Sequence, residues 1–223
     1  KNGNKFCDFF NGKIDSTKLK FYSESNHNYI INYDFTKNIS STTIFDKSEN
    51  KNHAQLINFP TRAVTGHKWD GSEMNWKNKL EHYSAIHFHE DDIYDFGWET
   101  DFKFKIPPKM KSGIYSIKIQ VDDFYDYIPF IISSPLKRKK QKLCLVLPTL
   151  TYIIYGNHSR PDFSRAWNVK TKKWNGYKFN PSEYPHYGLS TYNFHKDGSG
   201  ICHASHLRPL LNLRPGYITF GNS

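Results

Sequence analysis

The sequence predicts a mainly β protein: strands of a β-sandwich, followed by the first strand and loops of an incomplete α/β domain. Aromatic residues are abundant, with 15 Tyr and 17 Phe against 2 Met, and rings suit a pleated, half-buried surface. Clusters of Asn, Ser, Lys and Gly interrupt short apolar segments every ~8–12 residues up to about Pro60, a spacing typical of antiparallel sandwiches. A later segment, 143–147, is apolar at both alternating positions, which favours a strand buried on both faces.

The first 97 residues are assigned to the end of the sandwich. Segments such as NYIINYDF and TTIFD predict its strands, and no long helical pattern occurs among the first 60 residues. The stretch 61–99 is dense in His, Trp, Asp and Gly and has weak periodicity, so we expect ordered loops there.

Residues 98–135 predict a small β region. Apolar and charged side chains alternate over 98–106 and again over 115–121, with Pro107, Pro108 and Gly113 between them, so these two segments are predicted to form a hairpin with a longer loop. A third strand is expected at 127–132. A basic linker, 136–142, then leads to the beginning of the α/β domain, 143–223, in which 156–185 is predicted to be an extended loop with one turn of helix.

The formal net charge of +10 first suggests a nucleic-acid partner, but its distribution argues against one. Half of it comes from one run, Lys137, Arg138, Lys139, Lys140 and Lys142, and such runs are usually solvated.

Three widely spaced cysteines fit neither a disulfide framework nor a CxxC metal site, which favours a reducing cytoplasm. The longest apolar run is shorter than a membrane span and contains Pro148, so no membrane segment is expected. Both ends of the chain resemble cut points.

A histidine cluster at 87–92 raises a metal hypothesis. His87 and His89 lie two residues apart and would point the same way on a strand, with Asp91 close by. The alternatives are a structural hydrogen-bonding cluster and a calcium site. His67 and Trp69 add side chains typical of carbohydrate sites, so a carbohydrate- or partner-binding sandwich module is the alternative function.

Two tyrosine-rich segments are the main candidates for a functional site. Tyr152 and Tyr155 follow the predicted strand at the edge where open α/β sheets bind ligands, although core tyrosines are common there. Tyr187 and Tyr192 precede a polar run with Asn193, His195 and Asp197. Phosphate-loop spacing and a G-x-S-x-G elbow are both missing, and Cys202 beside His203 is weak support for a thiol hydrolase.

Several motifs in the same order resemble the large subunit of N,N-dimethylformamidase and its homologues. They are FPTRAVTGHKWDG, AIHFHEDDIYDFGWETDF, SGIYSIKI, DYIPFII, LVLPTLTYIIYGN and the block from YGLSTYN to LNLRPGY. The resemblance implies a concanavalin-like sandwich, a small β region and the beginning of an amidotransferase-like α/β domain. It also implies hydrolysis of an N-substituted formamide at a mononuclear Fe(III) centre bound by two tyrosines and one glutamate.

Carried onto this chain, the resemblance implies Tyr152 and Tyr192 as ligands, each preferred over its neighbour Tyr155 or Tyr187. His195, Asn193 and Asp197 become candidates for proton transfer and for orienting ligands or substrate. For Arg208 and Arg214 a structural role is favoured, pairing with loop carbonyls or carboxylates.

The family's glutamate lies downstream of Tyr217, where this sequence has no carboxylate, so the chain alone is expected to bind iron poorly and to be inactive. The implied partners are a small amide substrate, a small subunit and further copies of the chain.

Overall fold

The structure is a computed structural model that describes residues 8–22, 28–135, 142–159 and 164–219. The chain forms two compact units, Lys1–Tyr94 and Asp95–Ser223. Across the described ranges, strands outnumber helices and every sheet is antiparallel, which confirms the mainly β prediction. None of the described helices is long and apolar enough to cross a membrane.

Among its described residues, the first unit contains two antiparallel sheets. The strands are β1 (Gly12–Asp15), β2 (Lys18–Lys20), β3 (Tyr29–Asp34), β4 (Thr43–Asp46), β5 (Ala54–Gln55), β6 (Thr61–Val64) and β7 (Ala85–Phe88). One sheet has the strand order β2-β3-β4-β5 and the other β1-β7-β6.

An apolar cluster joins the two sheets of this unit. Ile44 on β4 and Phe35 after β3 are buried with Ile86 on β7, and partly buried residues of both sheets pack against them. Side chains on one face of each sheet therefore share a core, as expected for a β-sandwich. The described residues before Pro60 include no helix, in agreement with the alternation of short strands and turns.

The prediction of loops throughout 61–99 is wrong in part, because this stretch supplies β6 and the central strand β7. Sheet pairing on both sides of β7 overrides its weak periodicity: His87 faces Lys13 on one neighbour and Thr61 on the other. His87 and His89 lie on the same side, with ring centroids 4.1 Å apart. The backbone N–H of His89 donates to Asp92 at 3.0 Å, which favours the hydrogen-bonding interpretation of this cluster within the unit.

Asp15, at the end of β1, lines an open polar pocket of about 290 Å³ together with His67. Its carboxylate accepts the backbone N–H of His67 at 2.9 Å and contacts the imidazole at 2.5 Å. A Cβ on Gly66 would lie 2.6 Å from the carboxylate, so glycine permits this close approach. The carbohydrate-binding alternative depends on His67 and stays a prediction.

Acid is expected to weaken the first unit through Asp15. Burial alone would raise the pKa of Asp15, but hydrogen bonds from His67, Ser84 and Ser16 outweigh it and lower the pKa to about 2. An unfolded aspartate has a pKa of about 3.9, so this stabilisation is complete above about pH 5 and is lost as pH falls through the folded value. Asp15→Asn should lower the melting temperature at pH 7 and reduce its dependence on pH between about 5 and 2. Melting curves over that range test this, and an unchanged pH dependence would contradict it.

The hairpin of the second unit lies one strand later than predicted. Strands β8 (Gly113–Val121) and β9 (Phe124–Ile132) pair along their full length across a two-residue turn, in which Asp122 has a φ of +51°. The predicted third strand is therefore the second half of the hairpin. The predicted strand at 98–106 is absent, because its apolar side chains are exposed and no described strand pairs with it.

The predicted buried strand at 143–147 is also absent. The segment has no regular secondary structure, and Leu143 is 90% exposed. A strand buried on both faces needs neighbouring strands and covering helices, and the described residues place none against it. Of the tyrosines after it, Tyr152 lies on helix α1 (Thr149–Ile154) and Tyr155 caps the C-terminus of that helix, so neither lies at a strand end. Most of the basic run, residues 137–140, lies outside the described residues.

Helix α2 (Ser164–Lys173) replaces the expected loop. It has few apolar residues, and the buried residues among its described side chains are Trp167 and Thr171, one turn apart. The Trp167 indole N–H donates to the carbonyl of Ile218 at 2.9 Å, so the helix is held by one large residue rather than by an apolar stripe. Short 3-10 helices follow at Pro181–Glu183, Pro185–Tyr187 and Leu211–Leu213.

Candidate functional site

Two tyrosines from distant parts of the chain meet in the second unit. The rings of Tyr155 and Tyr192 are stacked, with centroids 4.2 Å apart and planes 14° apart. Interaction with the Tyr192 hydroxyl raises the pKa of Tyr155, with a smaller contribution from burial. Tyr155 is 44% and Tyr192 52% exposed, so the pair is accessible from solvent. The geometry therefore presents two phenol oxygens together at the surface of the unit.

The other two candidate tyrosines have different environments. Tyr152 is partly buried on α1, three residues before Tyr155, and residues three apart are neighbours on a helix surface. Tyr187 belongs to a separate aromatic cluster, where it stacks on Tyr184 with centroids 5.7 Å apart and meets Phe96 and Trp98 edge-on. The structure thus joins Tyr192 to the α1 segment and leaves Tyr187 among other rings.

Ser190 connects the Tyr192 loop to the end of α1. Its fully buried hydroxyl donates to the carbonyl of Ile154 at 2.8 Å and accepts the backbone N–H of Tyr192 at 3.1 Å. The backbone N–H of Thr191 donates to the same carbonyl at 3.3 Å. These contacts join Ser190 and Thr191, which precede Tyr192, to Ile154, which precedes Tyr155.

Two asparagines add further links between the same segments. The Asn193 side chain accepts the N–H of Ser159 at 3.0 Å and donates to its carbonyl at 2.6 Å. Asn157, buried with a φ of +58°, donates to the carbonyls of Gly188 at 3.1 Å and Pro209 at 2.7 Å. The loops therefore depend on side-chain hydrogen bonds to backbone groups, which buried loops require.

Arg208 is the most highly connected side chain of the site. Although only 7% exposed, it directs its guanidinium at five main-chain carbonyls. The acceptors are Ser205 at 3.0 Å, Gly188 at 2.5 Å, Leu189 at 2.6 Å, Ile153 at 2.9 Å and Gly156 at 3.0 Å. Burial lowers the pKa of Arg208 to about 10, so the side chain stays charged at neutral pH.

The prediction that Arg208 and Arg214 pair with carbonyls or carboxylates is confirmed. Arg214 lies 3.3 Å from the carboxylate of Asp126 and donates to the carbonyl of Tyr127 at 3.3 Å.

The remaining predicted residues lie in one tight turn after Tyr192. His195 is buried, its backbone N–H donates to Ser199 at 2.9 Å, and its carbonyl accepts from Gly198 at 3.0 Å. Asp197 accepts the backbone N–H of Ser199 at 2.9 Å and its hydroxyl at 2.6 Å. In these contacts the Asn193 and Asp197 side chains shape the backbone around the tyrosine.

Sequence reasoning missed Asn157 and Ser190. Asn157 carries one signal that could have identified it, because Tyr-Gly-Asn follows a short apolar helix and asparagine tolerates the left-handed conformation. Ser190 carries no such signal, since its acceptor is a main-chain carbonyl 36 residues away.

Comparison with known proteins identifies the family. The family model described as N,N-dimethylformamidase beta subunit-like, C-terminal, matches residues 61–223. The chain is 34% identical over 229 residues to the N,N-dimethylformamidase beta subunit of Paracoccus aminophilus, covering 92% of this chain and 30% of that protein. It is 37% identical over 181 residues to the protein of the same name from an Alcaligenes species, covering 79% of this chain and 24% of that protein. The chain thus spans less than a third of either relative, and it belongs to the N,N-dimethylformamidase beta subunit-like, C-terminal family.

Proposed function

We propose that this chain contributes two tyrosine ligands to the Fe(III) centre of an amidohydrolase that cleaves the C–N bond of small N-substituted formamides. The observation that carries the proposal is the contact between Tyr155 and Tyr192, which stacks the phenol rings of two distant segments with centroids 4.2 Å apart. Two ligands of one small cation must approach each other about this closely, because each binds at roughly 2 Å.

The donors present fit a hard, highly charged cation. Phenolate and carboxylate oxygens are hard anionic ligands of the kind that suit Fe(III). Tyr192 supplies one phenolate, and either Tyr152 on α1 or Tyr155 at the C-terminal cap of α1 supplies the other. When bound, the ion supplies Lewis acidity that polarises an amide carbonyl and acidifies water. The two phenols are the part of the ligand set that this chain is proposed to hold.

The turn after Tyr192 is proposed to handle protons and orientation. The departing amine must gain a proton, and His195 is the proposed donor because the turn closed by Ser199 holds its backbone three residues from Tyr192. Asn193 and Asp197 are proposed as positioning residues through their hydrogen bonds to Ser159 and Ser199.

The name of the relatives supports a partner. Both are described as beta subunits, so we propose that the full-length protein assembles with a second subunit.

Iron content and amide hydrolysis of the full-length protein test the function. Protein produced with its partner subunit in iron-replete cells should contain about one iron per chain and release formate from a small N-substituted formamide. Removal of iron by a chelator should abolish hydrolysis, and added Fe(III) should restore it. Hydrolysis that persists in iron-free protein would overturn the proposal.

A further inference from the structure

Arg208 contacts neutral main-chain oxygens on all sides. A guanidinium has five N–H donors in a rigid planar fork, and the Arg208 guanidinium meets five different carbonyl acceptors. None of these acceptors is a carboxylate. The side chain therefore acts here through the positions of its donors, which is a role that a point-like ammonium cannot reproduce.

The acceptors belong to the segments that carry the tyrosine pair. Ile153 and Gly156 lie on either side of Tyr155 at the end of α1, where a cation also favours the helix carbonyls. Gly188 and Leu189 come directly before Ser190, whose hydroxyl binds the backbone N–H of Tyr192. One planar group thus bridges the α1 end and the Tyr192 loop.

The packing around this bridge leaves little freedom. A Cβ added to Gly156 would lie 2.4 Å from the Leu210 side chain and 3.0 Å from the Ile153 carbonyl. Asn157 donates to the Gly188 carbonyl, which Arg208 also binds. A change in the length or shape of the side chain at 208 would therefore move the two segments relative to each other.

We propose that Arg208 is a positioning residue that sets the separation of Tyr155 and Tyr192 and so preorganises the phenol oxygens for the metal. The metal part of this inference rests on the proposed function, whereas the positioning of the ring pair does not. Loss of supporting residues around metal ligands typically lowers metal affinity about 10–100-fold.

The test compares Arg208→Lys with Arg214→Lys in the full-length protein. Arg208→Lys keeps the charge but loses the fork, and should weaken Fe(III) binding about 10–100-fold. Binding is followed by the visible absorption that a phenolate–iron contact produces. Arg214→Lys, whose contacts are Asp126 and Tyr127, should change affinity less than about 2-fold. Equal affinities for wild type and Arg208→Lys would overturn the proposal.

Two further measurements separate the positioning role of Arg208 from iron binding and from the folding of the variant. In iron-free protein labelled with 3-fluorotyrosine, Arg208→Lys should shift the fluorine resonances of Tyr155 and Tyr192, because ring stacking changes, while that of Tyr187 stays in place.

Ser190→Ala covers the case in which Arg208→Lys does not fold. It removes the hydroxyl that links Ile154 to Tyr192, affects no buried charge, and should also weaken iron binding. If wild type binds no iron, the proposed function fails, and the fluorine spectra alone decide whether Arg208 positions the pair. Unshifted Tyr155 and Tyr192 resonances would refute that role.

Discussion

Replacing Tyr192 by phenylalanine is expected to lower Fe(III) affinity by more than roughly 100-fold and to abolish hydrolysis in the full-length protein. Phenylalanine keeps the ring that stacks on Tyr155 but removes the oxygen, so the change isolates the ligand. Loss of a residue that only supports a metal ligand lowers metal affinity about 10–100-fold, and loss of the ligand itself should lower it further. Iron titration and formate release measure the two effects.

The remaining tyrosines serve as matched comparisons. Tyr152→Phe and Tyr155→Phe identify which of these two tyrosines binds the ion, because only replacement of the ligand should lower the iron affinity as strongly as Tyr192→Phe. Tyr187→Phe is the control, since Tyr187 packs among Tyr184, Phe96 and Trp98. Iron binding that survives Tyr192→Phe unchanged would contradict the assignment.

The second large effect is expected for Trp167→Ala, which should destabilise the second unit by about 3–5 kcal/mol. Trp167 is 1% exposed and anchors α2 through its ring and its hydrogen bond to Ile218. Truncation leaves a cavity that the surrounding backbone closes only in part, and it leaves the Ile218 carbonyl without this donor. Hydrogen exchange of the α2 amides should accelerate correspondingly.

Trp174→Ala provides the control for this change. Trp174 follows α2 and is 57% exposed, so its truncation should alter stability by no more than about 0.5 kcal/mol. Equal exchange rates for the α2 amides in Trp167→Ala and wild type would show that the helix does not depend on this anchor.

The hairpin shows which part of a strand prediction periodicity can support. Alternation over 98–106 and 115–121 is equally clear, yet only the second segment becomes a strand. Alternation identifies a strand face that could be buried, but the turn decides which segment pairs with that strand. The two-residue turn with Asp122 at positive φ brings 124–132 beside 113–121. These two segments are closer in sequence than 98–106 and 115–121, which were predicted to pair.

Sequence patterns are equally limited in predicting which segments are buried. The apolar run at 143–147 predicts a buried strand, but Leu143 and Val146 are exposed, because burial depends on neighbours that composition does not specify. Conversely, α2 was missed because its described part is held by Trp167 and Thr171 instead of an apolar stripe. A single large residue stabilises a helix only once the rest of the unit surrounds it.

By itself the sequence determined the mainly β class, the family and the two tyrosine segments, because these follow from composition, short-range alternation and the order of motifs. The tertiary structure decided that Tyr192 meets Tyr155, that Tyr187 joins another cluster, and that Arg208 bridges the segments. The physical reason is that these contacts end on main-chain carbonyls or join rings that are distant in the chain, such as Tyr155 with Tyr192 and Phe96 with Tyr187. A carbonyl is the same at every position, so only the folded backbone shows which ones an arginine can reach.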